Sequence, residues 1–263
     1  MNTASNPHAG VRPTLAAPAP DIVYEDDALL VVAKPAGLVT HPAYKHPDGT
    51  LCDAIFARQE ARGEGRPWLL HRLDRDTSGV VVFAKTAPTR RALVRQFERR
   101  TVQKQYLALT VGAPPAETDE IVAPLMRDPN DRRRVVVHPE GQAAQTRYRT
   151  LDVVDAHALL LVEPLTGRTH QIRAHLTSIG APLVGDTTYL APESPARALA
   201  ERALLHAWRL SVIHPTTGER RTFTARIPDD FCLVAQRLGF DGALQRLTRD
   251  PQEESCSSPH SIR

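Results

Sequence analysis

The segment HRLDRDTSG at residues 71–79 places an aspartate, Asp74, between two arginines and just before an apolar run at 80–83. The apolar run predicts a buried strand, and Ser78 and Gly79 favour a sharp turn into it. A carboxylate next to guanidinium groups is favoured in its charged form. Asp74 can therefore serve as a nucleophile or a base in a cleft, or it can belong to a salt-bridge cluster at a strand end.

Further segments along the chain are similar to the motifs of one enzyme family: KPAGLVTHP at 34–42, QKQYLA at 103–108, LTGRTHQIRAHL at 165–176, GD at 185–186 and LHA at 205–207. Together with residues 71–79 they resemble, in content and in order, the signature of the RNA pseudouridine synthases of the RluA type. The resemblance runs from about residue 22 to about residue 231, which is most of the chain. A single segment of this kind can arise by chance, whereas the whole series is typical of the family.

The resemblance implies an isomerase that detaches uracil from C1′ of the ribose, turns the base and rejoins it through C5. Nothing is oxidised in this reaction, so we predict no redox or nucleotide cofactor. The sequence agrees, because it has no Walker motif, no dinucleotide-binding glycine fingerprint and no metal-ligand pattern. We therefore expect a site without a metal or a cofactor.

The resemblance also implies three catalytic residues. Asp74 is the catalytic aspartate, which can attack the base, attack the sugar or remove a sugar proton. We favour Arg173 over Arg168 as its positive partner, because Arg173 lies on a predicted helix and can hold a carboxylate through two hydrogen bonds. Arg168 lies near the start of that helix, where phosphate or substrate oxygens bind. Tyr106 is expected to lie over the uracil and to help move the C5 proton, although tyrosine also packs well in strands.

Five more residues are predicted to bind RNA or the flipped base, which leaves its stack at a cost of a few kcal/mol. Arg72 is expected to enter the RNA where the base departs, and His71 to hold the loop. Lys34 either contacts the RNA backbone or braces the motif loop. Leu73 and Ile172 either form apolar walls for the base or belong to the core.

Three other histidines, His170, His175 and His206, are too scattered for a metal site, and we expect hydrogen-bonded structural roles for them. The second carboxylate of the motif, Asp76, is expected to form a salt bridge or a turn hydrogen bond.

Apolar periodicity predicts helices at 51–61, 86–100, 169–179, 194–205 and 231–238, and strands at 22–24, 28–33, 80–83, 101–111, 134–138, 145–154, 157–162, 209–214 and 221–227. The strands form neighbouring hairpins and do not alternate regularly with helices, which predicts an α+β fold. The resemblance implies a long bent mixed sheet, mostly antiparallel, with flanking helices and a central catalytic cleft. We expect flexible tails at 1–20 and 246–263 around one catalytic domain at 21–245, with no room for the S4-like RNA-binding domain of related branches.

Composition adds weaker constraints. The chain of 263 residues has a net charge of +3, and its arginines cluster at 90–100 and 132–134, where phosphates can bind. An arginine-rich solvated surface is the alternative interpretation. There is no apolar stretch of membrane-spanning length, no secretory signal, and no zinc or disulfide pattern among the three cysteines. We expect a cytoplasmic monomer with RNA as its partner.

The sequence therefore favours a pseudouridine synthase that acts on structured RNA, either a stem-loop of large-subunit ribosomal RNA or one of tRNA. A non-catalytic RNA-binding module with the same fold is the alternative, although it would not need Asp74, Tyr106 and Arg173 together. A hydrolase that uses Asp74 and Asp76 is a third interpretation, since residues two apart on a strand share a face. No general acid for it is evident.

Overall fold

The computed structural model describes residues 18–43 and 46–249. The predicted tails at 1–20 and 246–263, together with Cys256, lie mostly outside this range. Residues 246–249 are an exception, because they form the end of a helix.

Twelve strands and five helices are found in the described residues. The strands are β1 Asp21–Glu25, β2 Leu29–Lys34, β3 Trp68–Leu69, β4 Ser78–Ala84, β5 Gln103–Val111, β6 Thr118–Val122, β7 Leu125–Arg127, β8 Val135–Val137, β9 Gln145–Val154, β10 His157–Pro164, β11 Leu205–Ile213 and β12 Arg220–Thr224. The helices are α1 Leu51–Ala61, α2 Ala87–Glu98, α3 Gln171–Ser178, α4 Asp229–Arg237 and α5 Asp241–Arg249.

Ten of these strands form one mixed sheet in the order β1-β2-β4-β11-β5-β10-β9-β6, with β3 beside β4 and β12 beside β11. The pairing is antiparallel throughout the described strands except between β4 and β11. Strands β7 and β8 form a separate antiparallel hairpin. The α+β class and the mostly antiparallel sheet are confirmed.

Both faces of the sheet are buried, because apolar side chains of its strands point alternately to one face and to the other. One face packs on α2, α4 and α5, and the other packs on α1 and α3. On β5, Leu107 and Leu109 point to the first face, whereas Tyr106 packs with the clusters on the second. This agrees with the predicted alternation along β5.

The predicted helix at 194–205 is wrong. Only a short 3₁₀ turn, Pro195–Arg197, forms there. The backbone near Leu204 instead bonds to two other segments, since Leu204 N donates to Val184 O at 3.0 Å and Leu204 O accepts from Leu109 N at 3.1 Å. Tertiary hydrogen bonds therefore override helical propensity. Periodicity also missed β3, β6, β7 and α5.

Candidate active site

The loop at 73–76 carries Asp74 to the edge of a cleft just before β4, and each of its four carbonyls accepts a hydrogen bond. Thr40 Oγ1 donates to Leu73 O at 2.7 Å, and Thr77 N donates to Asp74 O at 3.2 Å. Buried carbonyls require such partners. The loop is therefore held by its own backbone as well as by its side chains.

Two cationic side chains bind the other two carbonyls. Lys34 is 1% exposed, and its Nζ donates to Arg75 O at 2.9 Å as well as to two carbonyls of its own loop. Burial lowers the pKa of Lys34 to about 7, with Asp76 and Asp74 acting in the opposite sense. Arg202, which is 8% exposed, donates from Nη1 to Asp76 O at 3.1 Å.

Of the two predictions for Lys34, the structure therefore supports a brace of the motif loop. A contact with RNA is contradicted, because the Lys34 side chain is buried away from the surface.

The start of β4 lies against β11 in the parallel pair. Gly79 has φ 121°, and a Cβ there would lie 2.1 Å from Ala207 O, so the close approach requires glycine. Ser78 Oγ donates to His206 Nδ1 at 2.9 Å, while His206 Nε2 donates to Ala225 O at 3.3 Å. Burial lowers the pKa of His206 to about 4, so the ring is neutral. His206 is thus a hydrogen-bonded structural histidine, as predicted.

His175 has the same kind of role. Its two ring nitrogens lie 2.8 Å from Thr146 Oγ1 and 2.9 Å from Ala123 O.

Two side chains from the start of α3 flank the Asp74 carboxylate. Arg173 Nη1 and His170 Nε2 each lie 4.0 Å from Asp74 Oδ2. The structure therefore brings Arg173, and not Arg168, to Asp74. Arg168 is exposed and donates from Nε to Ala143 O at 3.2 Å.

The predicted two-point pairing of Arg173 with Asp74 is wrong. Arg173 instead donates from Nε and Nη2 to the two oxygens of Asp186, at 2.6 and 2.7 Å. Asp186 is 1% exposed and also accepts from Thr188 N at 3.0 Å. Burial alone would lower the pKa of Arg173, but the hydrogen bonds to Asp186 and the nearby carboxylates outweigh it and raise that pKa.

His170 is the site residue that sequence reasoning placed in a structural role. It has a left-handed backbone with φ 51° at the start of α3, which is a strained conformation for a residue other than glycine. Burial lowers the pKa of its ring, while the charge of Asp74 acts in the opposite sense. Its place in the same motif as Arg173, three residues before it, was an available signal.

Tyr106 lies on β5, where it pairs with Val162 of β10 and Ala207 of β11. Burial and the negative charge of Asp74 raise the pKa of its hydroxyl. The hydroxyl is therefore protonated and available as a hydrogen-bond donor at neutral pH.

The remaining predicted residues surround this centre. Leu73 and Ile172 are 4% and 5% exposed and belong to the core, with their edges on the cleft. His71 Nε2 accepts from Val82 N at 3.2 Å, and the ring stacks on Phe97. Burial lowers the pKa of His71 to about 3, so the ring is neutral and holds the loop. Arg72 is exposed on the cleft wall.

The cleft has a volume of about 520 Å³, which is within the range of small-ligand sites. Lys104, which sequence reasoning did not single out, lines it and donates to Thr166 O at 3.1 Å. Burial lowers the pKa of Lys104 to about 8. Asp76 pairs with Arg75 at 2.9 Å, as predicted, and is not among the lining residues, which argues against a two-carboxylate hydrolase.

Metal-binding groups and membrane-spanning helices were sought in residues 18–43 and 46–249. No group of three or more histidine, cysteine or acidic side chains there could hold a metal ion. No helix in the same ranges has the length and apolar character to cross a membrane.

The sequence model of a protein family described as RNA pseudouridylate synthase matches residues 28–178, more than half of the chain. The chain belongs to this family. An uncharacterized RNA pseudouridine synthase of Chloroflexus aurantiacus is 47% identical over 210 residues, which cover 78% of this chain and 65% of that protein. The ribosomal large subunit pseudouridine synthase D of Nitrosomonas europaea is 42% identical over 224 residues, covering 82% and 64%. The chain thus spans just under two thirds of the length of these pseudouridine synthases.

Solved structures agree with the family assignment. Human RNA pseudouridylate synthase domain containing 4 superposes with a TM-score of 0.70 at 26% identity, covering 83% of this chain and 92% of that one. Human RNA pseudouridylate synthase domain containing 1 gives a TM-score of 0.66 at 28% identity, covering 79% and 83%.

Proposed function

We propose that this protein converts specific uridines of structured RNA to pseudouridine, with Asp74 as the catalytic carboxylate. The observation that carries the proposal is the position of Asp74 in the cleft, 4.0 Å from Arg173 Nη1, in a chain of the RNA pseudouridylate synthase family. The C1′–N1 bond breaks, a C1′–C5 bond forms, C5 loses a proton and N1 gains one. The reaction balances without an oxidant, ATP or a metal.

The proposal gives each side chain a part in this chemistry. Asp74 acts on the base or the sugar, and Arg173 supplies positive charge beside it. Tyr106, which lines the cleft, stacks on the flipped uracil, and its hydroxyl serves proton movement at C5. Arg72 fills the space that the extruded base leaves in the RNA, and its exposure on the cleft wall supports this role.

For the substrate we propose a stem-loop of large-subunit ribosomal RNA in preference to tRNA. The support is that the Nitrosomonas europaea relative is named for the ribosomal large subunit. Exposed arginines of α2 and of the 128–134 loop are suited to phosphates. A cytoplasmic location would follow from such a substrate.

The test measures tritium release from RNA labelled at uridine C5, with ribosomal RNA transcripts and tRNA assayed separately. Carbodiimide-dependent reverse-transcription stops confirm that pseudouridine has formed. We expect release from large-subunit RNA by the wild type and a loss of at least about 10²–10⁴-fold in Asp74→Asn. RNA binding by Asp74→Asn should be nearly unchanged.

Asp76→Asn is the matched control, because this second carboxylate is two residues away, pairs with Arg75 and does not line the cleft. It should retain activity. Binding of RNA without release by the wild type would favour the non-catalytic RNA-binding module. Activity in a pure Asp74→Asn preparation would exclude Asp74 as the catalytic residue.

A further inference from the structure

Tyr189 connects the β7–β8 hairpin to the surroundings of Asp74. The residue is 7% exposed. Its hydroxyl accepts from Val135 N at 2.9 Å and donates to Val135 O at 3.0 Å. The backbone N–H and C=O of Val135, the first residue of β8, therefore both form hydrogen bonds with the Tyr189 hydroxyl.

The ring of Tyr189 contacts the two residues that flank Asp74. The guanidinium carbon of Arg173 lies 5.0 Å from the ring centre, a cation–π contact. The His170 ring meets it edge-on at 5.9 Å, and His170 Nδ1 lies 3.3 Å from the hydroxyl. A displacement of Tyr189 must therefore alter the environment of both Arg173 and His170.

The hairpin packs directly on α3, because Leu125 and Val135 share a buried cluster with Ala174 and Tyr189. β7 and β8 pair with each other and stand outside the ten-stranded sheet. The connecting loop at 128–134 exposes Arg132 and Arg133. The Arg134 guanidinium carbon lies 5.4 Å from the centre of the Tyr189 ring, and Arg134 Nε is buried without a hydrogen-bond partner in the described structure.

We propose that Tyr189 is a positioning residue that couples the binding of RNA at the β7–β8 hairpin to the orientation of Arg173 and His170 at Asp74. The inference rests on the proposed function. Phosphates bound at Arg132 and Arg133 displace the hairpin, the two bonds to Val135 transmit the displacement to the hydroxyl, and the ring passes it to Arg173 and His170. RNA that engages the hairpin thereby favours the reactive arrangement over the unreactive one.

The first test is Tyr189→Phe, which keeps the ring and removes the hydroxyl, and with it both bonds to Val135 and the contact with His170 Nδ1. Under single-turnover conditions with saturating enzyme, we expect the rate constant of tritium release to fall roughly 10- to 100-fold, because small misplacements of catalytic groups have such effects. The Kd for the same RNA should change less than about twofold, since a single hydroxyl that does not face the RNA contributes little to binding. Tyr148→Phe is the matched control, because Tyr148 is a buried tyrosine of β9, 3% exposed, and should leave both values unchanged.

The second test is a double-mutant cycle with Arg132→Ala. If Tyr189 transmits hairpin binding, Arg132→Ala slows the single-turnover rate in the wild-type background but not in Tyr189→Phe. If the fold-change in rate of the double variant equals the product of the fold-changes of Tyr189→Phe and Arg132→Ala, the proposal is overturned. Should Tyr189→Phe not fold, Arg134→Gln removes the hairpin-side cation from the ring and must show the same lack of additivity with Arg132→Ala.

Tritium release by the wild type distinguishes a failure of this inference from a failure of the proposed function. A wild type that releases no tritium from any RNA overturns both. A wild type that is active, with Tyr189→Phe equally fast, overturns the coupling alone and leaves the isomerase intact.

Discussion

The Nη1 atom of Arg173 stops 4.0 Å short of Asp74 Oδ2, which is beyond hydrogen-bond distance. The reason lies behind Arg173, where Asp186 binds the other two guanidinium nitrogens. Asp74 is thus next to a positive charge without being locked into a two-point salt bridge. A carboxylate that must react with a substrate benefits from that arrangement, because its oxygens remain available.

Replacing Asp186 should therefore impair activity and stability together. In Asp186→Asn, Arg173 loses its two-point partner and can rotate onto Asp74 or leave it. We expect tritium release to fall roughly 10- to 100-fold and the free energy of unfolding to fall by about 3 kcal/mol, because a buried cation loses its counter-charge. Activity assays measure the fall in tritium release, and denaturant titration measures the fall in the free energy of unfolding. The control is Asp229→Asn, which removes a carboxylate from an exposed pair with Arg226 and should change neither quantity. Full activity in Asp186→Asn would contradict this account of Arg173.

Arg72 and Arg75 flank the Asp74 motif but differ in position, which gives a matched pair of variants. Arg72 lines the cleft, whereas Arg75 is bound to Asp76 outside it. We expect Arg72→Ala to slow single-turnover release by at least about 10-fold, because the extruded base is no longer replaced in the stack. Arg75→Ala should stay within about twofold of wild type. Equal rates for the two variants would exclude the proposed role of Arg72.

The arginines of α2 should contribute to the salt dependence of RNA binding. The carboxyl end of α2 borders the cleft through Phe97 and Glu98, and Arg95 on α2 and Arg99 directly after it are exposed. The double variant Arg95→Ala, Arg99→Ala should reduce the slope of log K against log salt by about 1.4 to 1.8, if each arginine neutralises one phosphate.

A control for this measurement is the double variant Arg226→Ala, Arg237→Ala. It removes the same charge next to and on α4, away from the cleft lining. The slope should then remain that of wild type. Identical slopes for all three proteins would exclude α2 from the RNA track.

Two histidines with lowered pKa values should make the fold sensitive to acid. Burial lowers the pKa of His206 to about 4, so the unfolded chain binds a proton below about pH 6.5 that the folded chain does not. Stability contributed by His206 is therefore complete above pH 6.5 and is lost as the pH falls toward 4, by about 3 kcal/mol at most. His71 acts in the same direction, because its pKa is lowered to about 3.

The comparison of His206→Asn with wild type isolates this effect. The asparagine can keep a hydrogen bond to Ser78 but does not titrate, so its free energy of unfolding should fall less steeply between pH 6.5 and 4. His46→Gln replaces an exposed histidine and should follow the wild-type curve. Parallel curves for His206→Asn and wild type would refute the linkage.

Local patterns in the sequence predicted the elements that carry the site. The helix at 51–61 was predicted to the residue, and the strands around Asp74 and Tyr106 were predicted within one or two residues. These segments bury one regular apolar face each, which a period of 2 or 3.6 reveals. The segment at 194–205 was mispredicted because its backbone bonds to Val184 and Leu109, which are distant in sequence.

In the site, too, features set by local sequence could be predicted, and features set by contacts between distant residues could not. Motif strings placed Asp74, Tyr106 and Arg173 together because each stands in its own short pattern. The pairing of Arg173 with Asp186 could not be predicted, since two carboxylates compete for one guanidinium and only their final positions decide between them. The burial of Lys34 was equally invisible, because a lysine in a loop normally reaches solvent.

The insertion of β11 between β4 and β5 has a consequence for synthesis. Asp74 and Tyr106 are separated by about thirty residues along the chain, yet the strand between their strands is Leu205–Ile213, about a hundred residues later. A growing polypeptide thus contains all the side chains proposed to be catalytic before it contains β11, the strand between β4 and β5. The cleft can close only late in translation, and until then the facing edges of β4 and β5 are open to wrong partners, which makes this protein a candidate for chaperone assistance.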